Sequence, residues 1–227
     1  MAHYFITGAS SGIGAALAVQ LTAAGHQVSA VARRQQRLAA LSKQLDAFHG
    51  YVADVGDAEN LATAIDKAKA KSGAIDVAIL NAGIYQPQDG IKIDPQIYAN
   101  HMTINYLGAV NALAGLVPDM VREGEGHIAI VSSVAGWRGL PKSAAYGPTK
   151  AALISLAESL YFDLVPHGLK IQVICPGFVD SEATAVNDFE MPDLISADSA
   201  ASAIIRGMQG HDSVSYTHLT LPTIMPV

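Results

Sequence analysis

The sequence has few charged residues and a single cysteine. Only 15% of its 227 residues are Asp, Glu, Lys or Arg, and the formal net charge is −6. Nucleic acids and anionic membranes are bound through basic surfaces, so this charge balance argues against either as a partner. Cys175 has no second cysteine to pair with, which excludes an intrachain disulfide and fits a reducing compartment.

Long apolar runs, metal-ligand spacings and leader-like features are also missing. The most apolar stretch, Leu107–Val117, contains Asn111 and stops at Pro118, and a run of that length is too short to span a bilayer. The eight histidines are scattered without ligand spacing, so no metal site is expected. The N-terminus enters a predicted strand without a basic flank, so no signal peptide is predicted and a cytoplasmic location is expected.

Strand and helix patterns alternate along the chain. Half of the residues are hydrophobic, and the length suffices for one α/β domain with a large core. The predicted strands are 4–6, 27–32, 48–52, 75–80, 127–132 and 170–175, and the predicted helices include 35–45, 58–71, 96–117 and 143–164. This alternation predicts a single Rossmann-type domain over residues 1–212: a doubly wound parallel sheet of six to seven strands in a three-layer α/β/α sandwich.

A glycine-rich turn joins the first predicted strand to the first predicted helix. Thr7–Gly14 has the spacing G-x-x-x-G-x-G. The free N–H groups and the dipole of a helix N-terminus favour an anion, and Gly8 permits a tight turn. Gly12 and Gly14, without a Cβ, allow a pyrophosphate and a neighbouring strand to approach closely. These residues indicate a dinucleotide site, with a plain glycine-rich turn as the alternative.

Polar motifs follow the other predicted strands as well. Because the carboxyl ends of parallel strands lie at one edge of a sheet, this placement gathers the motifs at a single site. The motifs are Gly8–Gly14, Arg33-Arg34, Asp54, Asn81-Ala82-Gly83, Ser132-Ser133 and Pro176-Gly177.

The residues after the second predicted strand bear on the choice of cofactor. An acid at this place usually binds the ribose 2′-hydroxyl of NAD. The sequence has Arg33 and Arg34 there instead, and a guanidinium suits a 2′-phosphate. NADP(H) is therefore predicted over NAD(H), which remains possible; the alternative is a pair of solvated arginines at a helix start.

Tyr146 and Lys150 are four residues apart and share one face of a helix. Pro148 between them fits only near a helix start, where a missing N–H does no harm. A lysine ammonium stabilises a phenolate and lowers the tyrosine pKa, which makes Tyr146 a candidate general acid/base. An ordinary surface Tyr–Lys pair is the alternative.

Together these motifs resemble the short-chain dehydrogenase/reductase family over nearly the whole chain, up to about Gln209. The resemblance rests on Thr7–Gly14, Asp54, Asn81–Gly83, Asn105–Gly108, Val131–Gly136, Tyr146-x-x-x-Lys150 and Pro176-Gly177. It implies an NADP(H)-dependent oxidoreductase that transfers hydride between nicotinamide and a carbonyl or secondary alcohol. Two alternatives remain open: an epimerase or dehydratase on the same scaffold, or a non-catalytic NADP(H)-binding sensor.

The resemblance implies catalytic roles for four residues. Tyr146 exchanges a proton with the substrate oxygen, and Ser133, favoured over Ser132 by its separation from the tyrosine, hydrogen-bonds that oxygen. Lys150 holds the nicotinamide ribose and lowers the tyrosine pKa. Asn105 positions a water leading to Lys150, with a buried, internally satisfied amide as the alternative.

The resemblance also implies a set of cofactor contacts. Asp54 is expected at the adenine edge, with a helix cap as the alternative, and Asn81 at a cofactor ribose. Ser181 stands where many family members carry threonine. The full set is Gly8, Ser10, Ser11, Gly12, Ile13, Gly14, Arg33, Arg34, Asp54, Val55, Asn81, Ala82, Gly83, Tyr146, Lys150, Pro176, Gly177, Val179 and Ser181.

Family likeness places the substrate against three segments of mixed apolar and small residues. These are the loop after Ser133 with Trp137 and Leu140, the pair Ile84-Tyr85, and residues Phe178–Met191. Few charges lie in them, which predicts a small to medium, largely apolar carbonyl or alcohol. The substrate-binding residues are predicted to be Ser133, Trp137, Tyr146 and Phe178. The alternative for Trp137 and Phe178 is that these aromatic side chains fill space in the core or at an interface.

Residues 213–227 have two interpretations. Ser213–Leu221 is a candidate seventh strand, although its alternation is imperfect. Val214–Thr223 also resembles one translated frame of a transposon-end sequencing adapter, which predicts a non-native tail. The family resemblance implies a homodimer or homotetramer, and a non-native tail would leave the edge of the sixth strand poorly covered and impair assembly.

Overall fold

The structure is a computed structural model in which residues 1–210 and 212–217 are described. Seven parallel strands form one sheet in the order β3-β2-β1-β4-β5-β6-β9. The strands are β1 His3–Thr7, β2 Gln27–Ala32, β3 Phe48–Val52, β4 Val77–Leu80, β5 Gly126–Val131, β6 Leu169–Cys175, β7 Val179–Asp180, β8 Ile195–Ser196 and β9 Val214–Tyr216, of which β7 and β8 pair separately.

Helices cover both faces of the sheet. They are α1 Gly12–Ala23, α2 Gln35–Gln44, α3 Ala58–Ser72, α4 Pro95–His101, α5 Gly108–Glu123, α6 Gly147–Leu164 and α7 Ala197–Gln209. One apolar cluster packs α3, α5 and α6 on one face, and a second packs α1, α2 and α7 on the other. The predicted doubly wound, three-layer α/β/α sandwich is confirmed.

Most predicted elements lie within a few residues of their observed positions. Asp57 caps α3 by accepting a hydrogen bond from the backbone N–H of Asn60, and Asp94 caps α4 in the same way from Gln96. Gly25, with φ +84°, follows the end of α1 as expected for a left-handed terminator. The fourth strand begins at Val77 rather than at residue 75.

The predicted helix over 96–117 is longer and less regular than expected. A continuous helical stretch runs from Pro95 to Glu123, with a π-helical turn at Met102–Leu107 between α4 and α5. Pro118 lies inside α5 without ending it, and the helix stops at Gly124, whose φ is +73°. The end of α5 is therefore set by the left-handed conformation of Gly124 and not by Pro118.

The helical stretch Pro95–Glu123 is longer than the apolar run Leu107–Val117, which was considered too short to span a bilayer. Its 29 residues are long and apolar enough to cross a bilayer by length and composition. Ala112 and Leu116 are nevertheless buried in the apolar cluster that packs α3 and α5 on the sheet. The stretch is a core helix of this domain.

The predicted helix over 143–164 begins later, at Gly147. Tyr146 is the residue immediately before α6, and Pro148 is in its first turn. The missing N–H of Pro148 therefore falls where a helix has no partner for it. The local geometry that the Tyr146–Lys150 interpretation required is present.

At the sheet edge, Val214–Tyr216 pairs in parallel with Val173–Cys175. Three residues of the candidate seventh strand are thus a strand, and they cover part of the edge of β6. Ser213 and Thr217 are described but are not part of the strand, and residues 218–221 of the candidate strand lie outside the described residues. The origin of residues 213–227, and the domain boundary at 212, stay predictions.

Candidate active site

A cleft of about 530 Å³ crosses the carboxyl ends of the central strands. It brings together nearly all of the predicted site residues, which come from turns far apart in the sequence. The predicted residues that line it are Gly8, Ser10, Ser11, Gly12, Ile13, Arg33, Arg34, Asp54, Val55, Asn81, Ala82, Gly83, Ser133, Tyr146, Lys150, Pro176, Gly177, Phe178, Val179 and Ser181. Gly14, Asn105 and Trp137 are not among the lining residues.

The glycine-rich turn has a backbone that side chains would disrupt. Gly8 and Gly12 have φ values of +77° and +54°. A Cβ on Gly8 would lie 2.7 Å from the Cα of Ala82, and one on Gly14 would lie 2.4 Å from the carbonyl oxygen of Gly8. Gly14 therefore allows α1 to pack closely against the turn. Of the three glycines, only Gly8 and Gly12 line the cleft.

Asn81 fastens this turn to the end of β4. Its amide nitrogen donates to the carbonyl oxygens of Thr7 and Gly8 at 3.1 and 3.3 Å. The Thr7 hydroxyl in return accepts from the backbone N–H groups of Asn81 and Ala82, both at 3.0 Å. The Asn81 side chain thus positions the turn, in addition to lining the cleft where a ribose contact was predicted.

Two arginines and Asp54 lie at one end of the cleft. Arg33 is largely exposed and lies 3.8 Å from the Asp54 carboxylate. Asp54 also accepts a hydrogen bond from the backbone N–H of Gly56 at 2.9 Å and so stabilises a turn. The N-cap of α3 is Asp57 and not Asp54. Arg34 donates from Nε to the Ser10 hydroxyl at 2.9 Å.

The Tyr146–Lys150 pair lies in the middle of the cleft. The Lys150 ammonium nitrogen is 5.5 Å from the centroid of the Tyr146 ring and donates to the carbonyl oxygen of Val131 at 2.8 Å. Ser133 lies close enough to the Tyr146 side chain to lower the pKa of its hydroxyl. The Ser132 hydroxyl instead donates to the carbonyl oxygen of Lys150 at 2.8 Å, so Ser133 rather than Ser132 is the serine that faces the tyrosine.

Burial controls the protonation of both groups. Desolvation raises the pKa of Tyr146 to about 12, although the hydrogen bond from Ser133 partly opposes it. Desolvation lowers the pKa of Lys150 to about 8. The expected net lowering of the tyrosine pKa is therefore wrong for this arrangement, because desolvation of the phenolate outweighs the lowering by Ser133, and Tyr85 and Cys175 raise the pKa further. At neutral pH Tyr146 carries its proton and is suited to donate it.

Asn105 is buried in the π-helical turn and fully engaged with the protein. Its side-chain oxygen accepts from the backbone N–H of Ile84 at 2.7 Å, and its nitrogen donates to the Ile84 carbonyl and the Thr149 hydroxyl, both at 3.0 Å. These contacts match the internally satisfied alternative. A Cβ on Gly83 would be 3.4 Å from the Asn105 oxygen and 3.6 Å from the Lys150 nitrogen, so Gly83 lies directly against both side chains.

Aromatic and polar groups line the other end of the cleft. The ring of Tyr85 packs edge-on against Tyr146, with centroids 5.3 Å apart, and Phe178 packs against Phe189. The Tyr85 hydroxyl and the Asn187 side-chain oxygen are buried and find no hydrogen-bond partner among residues 1–210 and 212–217. Buried polar atoms of this kind call for a ligand or water.

Trp137, a predicted substrate contact, is not among the residues that line the cleft. Its indole N–H donates to the Cys175 sulfur at 3.2 Å, and its ring packs against the core of the sheet. These contacts match the alternative in which Trp137 fills space at the core and does not contact the substrate. Phe178, in contrast, lines the cleft.

The lining residues that were not singled out from the sequence include Ser143, Glu182, Asn187 and Phe189. The last three lie in the predicted substrate segment Phe178–Met191, but no spacing marks them individually. Only the folded chain shows that Glu182 comes from that segment to the arginine end of the cleft.

The fold and cleft define a Rossmann-type α/β protein with a nucleotide-sized site that holds a partly buried Tyr146 and a buried Lys150. A family model described as short chain dehydrogenase matches residues 2–191. The chain belongs to that family and is one of its oxidoreductases, which confirms the resemblance drawn from the motifs.

Individual relatives agree with this assignment. An uncharacterized oxidoreductase of Myxococcus xanthus is 36% identical over 97% of this chain and 89% of its own. The 3-dehydrosphinganine reductase TSC10B of Arabidopsis thaliana is 32% identical over 90% of this chain and 63% of its own length. Among solved structures, a short-chain dehydrogenase from Sphingobium yanoikuyae in complex with NADPH is 27% identical, with a TM-score of 0.88 over 98% of this chain and 90% of that one.

Proposed function

We propose that this protein is an NADP(H)-dependent reductase that converts a carbonyl group to a secondary alcohol. The observation that carries the proposal is the partly buried Tyr146 side chain, next to Ser133 and with the Lys150 ammonium 5.5 Å from its ring centroid, in the same cleft as the glycine-rich turn. The NADPH complex of the Sphingobium yanoikuyae relative and the reductase from Arabidopsis thaliana support it.

The cleft suits a dinucleotide. The first turn of α1 is made of Gly12, Ile13 and Gly14, so its N–H groups and dipole meet a pyrophosphate without an opposing acid. A Cβ on Gly12 would lie 3.4 Å from the Cβ of Ser181, so a side chain there would narrow the space between turn and opposite wall. Arg33 and Arg34 support a 2′-phosphate at the end of the cleft.

Each polar group in the middle of the cleft has one task in the proposed reduction. Bound NADPH supplies the hydride for the carbonyl carbon. Ser133 holds the carbonyl oxygen, and Tyr146 donates its proton to that oxygen as negative charge develops there. The Lys150 ammonium stabilises the phenolate that remains. The protonated state of Tyr146 at neutral pH favours reduction as the direction.

The proposed substrate is of small to medium size and largely apolar. Ile84, Leu140 and Phe178 supply apolar lining. The unpartnered Tyr85 hydroxyl and Asn187 oxygen support a further hydrogen-bonding group on the substrate, besides the carbonyl. We further propose a cytoplasmic homodimer or homotetramer, as the family resemblance implies.

A carbonyl panel with NADPH tests the reaction. We expect absorbance at 340 nm to fall with at least one apolar ketone or aldehyde, with one alcohol formed per NADPH consumed. Product formation without net loss of NADPH would instead identify an epimerase or dehydratase. Binding of NADPH with no turnover over a broad panel would favour a sensor.

The arginine pair allows a second test. Exchanging Arg33 and Arg34 for alanine should weaken NADPH binding by about 10- to 100-fold relative to NADH, because charge-assisted hydrogen bonds to the 2′-phosphate are lost. Fluorescence titration of both reduced cofactors measures the ratio of their Kd values. Arg206→Ala on α7 is the control for loss of a surface arginine. An unchanged ratio would contradict the assignment of NADP(H).

A further inference from the structure

Glu182 brings a carboxylate to the arginine end of the cleft from the opposite wall. Its two oxygens bind different guanidinium groups, one on Arg34 at 2.5 Å and one on Arg37 at 2.9 Å. Arg34 is held at the same time by hydrogen bonds to the Ser10 and Ser11 hydroxyls of the glycine-rich turn. The carboxylate is therefore fixed beside the turn, and it lines the same cleft as Arg34.

The neighbouring arginines keep Glu182 ionised. The hydrogen bond and charge of Arg34 lower the pKa of the Glu182 carboxyl, and Arg37 adds to the effect. All three side chains are about half exposed, so the contacts are weak enough for a ligand to rearrange them. An anionic side chain and two cations thus share one small surface at the end of the cleft.

These charges act oppositely on the two nicotinamide cofactors, if the proposed function holds. A 2′-phosphate must share Arg34 with the carboxylate and is repelled by it. A 2′-hydroxyl instead donates a hydrogen bond to a carboxylate, which is the contact that an acid after the second strand ordinarily provides in NAD-binding folds. The sequence has no acid after the second strand. In the folded chain, however, the Glu182 carboxylate lies beside Arg34, which follows that strand.

We propose that Glu182 is a residue that determines cofactor selectivity: it supplies a ribose-binding carboxylate from the substrate segment, so that the protein accepts NAD(H) besides NADP(H). Arg34 and Arg37 favour the phosphorylated cofactor, and Glu182 limits that preference. The selectivity of the site is set by the balance between the carboxylate and the two guanidinium groups.

The variant Glu182→Gln tests this inference by binding alone. Fluorescence titrations of NADPH and NADH give Kd values without any substrate. We expect NADPH to bind more tightly and NADH more weakly than in the wild type, with a combined change in the Kd ratio of about tenfold, because a neutral amide removes the repulsion and weakens the hydroxyl contact. Competition by adenosine 2′,5′-bisphosphate and 5′-AMP should show the same shift, which localises it to the 2′ position.

Glu190→Gln is the matched control. Glu190 is exposed on the same segment and forms no ion pair within residues 1–210 and 212–217, so the Kd ratio should not change. A Glu182→Gln ratio equal to that of the wild type, or an equal weakening of both cofactors, would overturn the inference alone. A wild-type protein that binds neither cofactor would refute the proposed function, and the inference with it. Thermal melts establish that the variants are folded, as expected for half-exposed positions.

Discussion

Tyr146→Phe is expected to lower kcat/KM for carbonyl reduction by about 10²- to 10⁴-fold, the usual contribution of a general acid. The substitution removes only the hydroxyl that donates the proton. The ring can still pack edge-on against Tyr85, at the present centroid distance of 5.3 Å, and α6 retains its start at Gly147. The Kd for NADPH should therefore be unchanged. Steady-state kinetics and fluorescence titration on the same preparation separate the two effects.

Tyr161→Phe is the control for this experiment. Tyr161 is on α6, the helix that follows Tyr146, is partly exposed, and is not among the residues that line the cleft. Its loss of a hydroxyl should leave the kinetics unaltered. Turnover by Tyr146→Phe at the wild-type rate would show that another group supplies the proton, and the proposed mechanism would have to be abandoned.

Lys150→Met is expected to lower kcat/KM for reduction by on the order of 10²-fold and to change its pH profile. Lys150 is almost fully buried, and methionine has a similar length without the charge. Burial lowers the lysine pKa to about 8, so the ammonium is present below that pH and is lost above it. The wild-type rate should therefore decline above about pH 8, and this limb should be missing in Lys150→Met.

The pH profile distinguishes this role from a structural one. A variant that merely loosened the cleft would retain the decline near pH 8 at a lower overall rate. Lys67→Met, at an exposed position on α3, controls for loss of a lysine charge and should match the wild type. A decline near pH 8 that persists in Lys150→Met would assign that titration to a different group.

Local patterns were enough to predict the architecture. Apolar runs alternating with helical patterns specify parallel strands with crossover helices, and Asp57 and Asp94 mark helix starts through short-range hydrogen bonds. The end of α5 was misplaced because Pro118 is tolerated inside the helix, while Gly124 adopts the left-handed conformation that ends it. Whether a proline is tolerated inside a helix, and where that helix ends, depend on the packing around the segment.

The site was predictable to the extent that its residues occur in characteristic motifs. Tyr146, Lys150 and the glycine-rich turn have a recognisable spacing, and the fold brings them into one cleft. The contacts of Trp137 could not be predicted, because nothing in the local sequence tells whether an indole lines a cleft or, as here, packs against the core and donates to Cys175.

The sequence by itself determined the fold class, the family and the identity of the central residues, because these depend on periodicity and on short spacings along the chain. The tertiary structure alone decided two other properties. Tyr146 has a raised rather than a lowered pKa, because desolvation depends on everything packed around the ring. Glu182 meets Arg34 across 148 positions of sequence, because a charge interaction depends on distance in space and no local pattern records it.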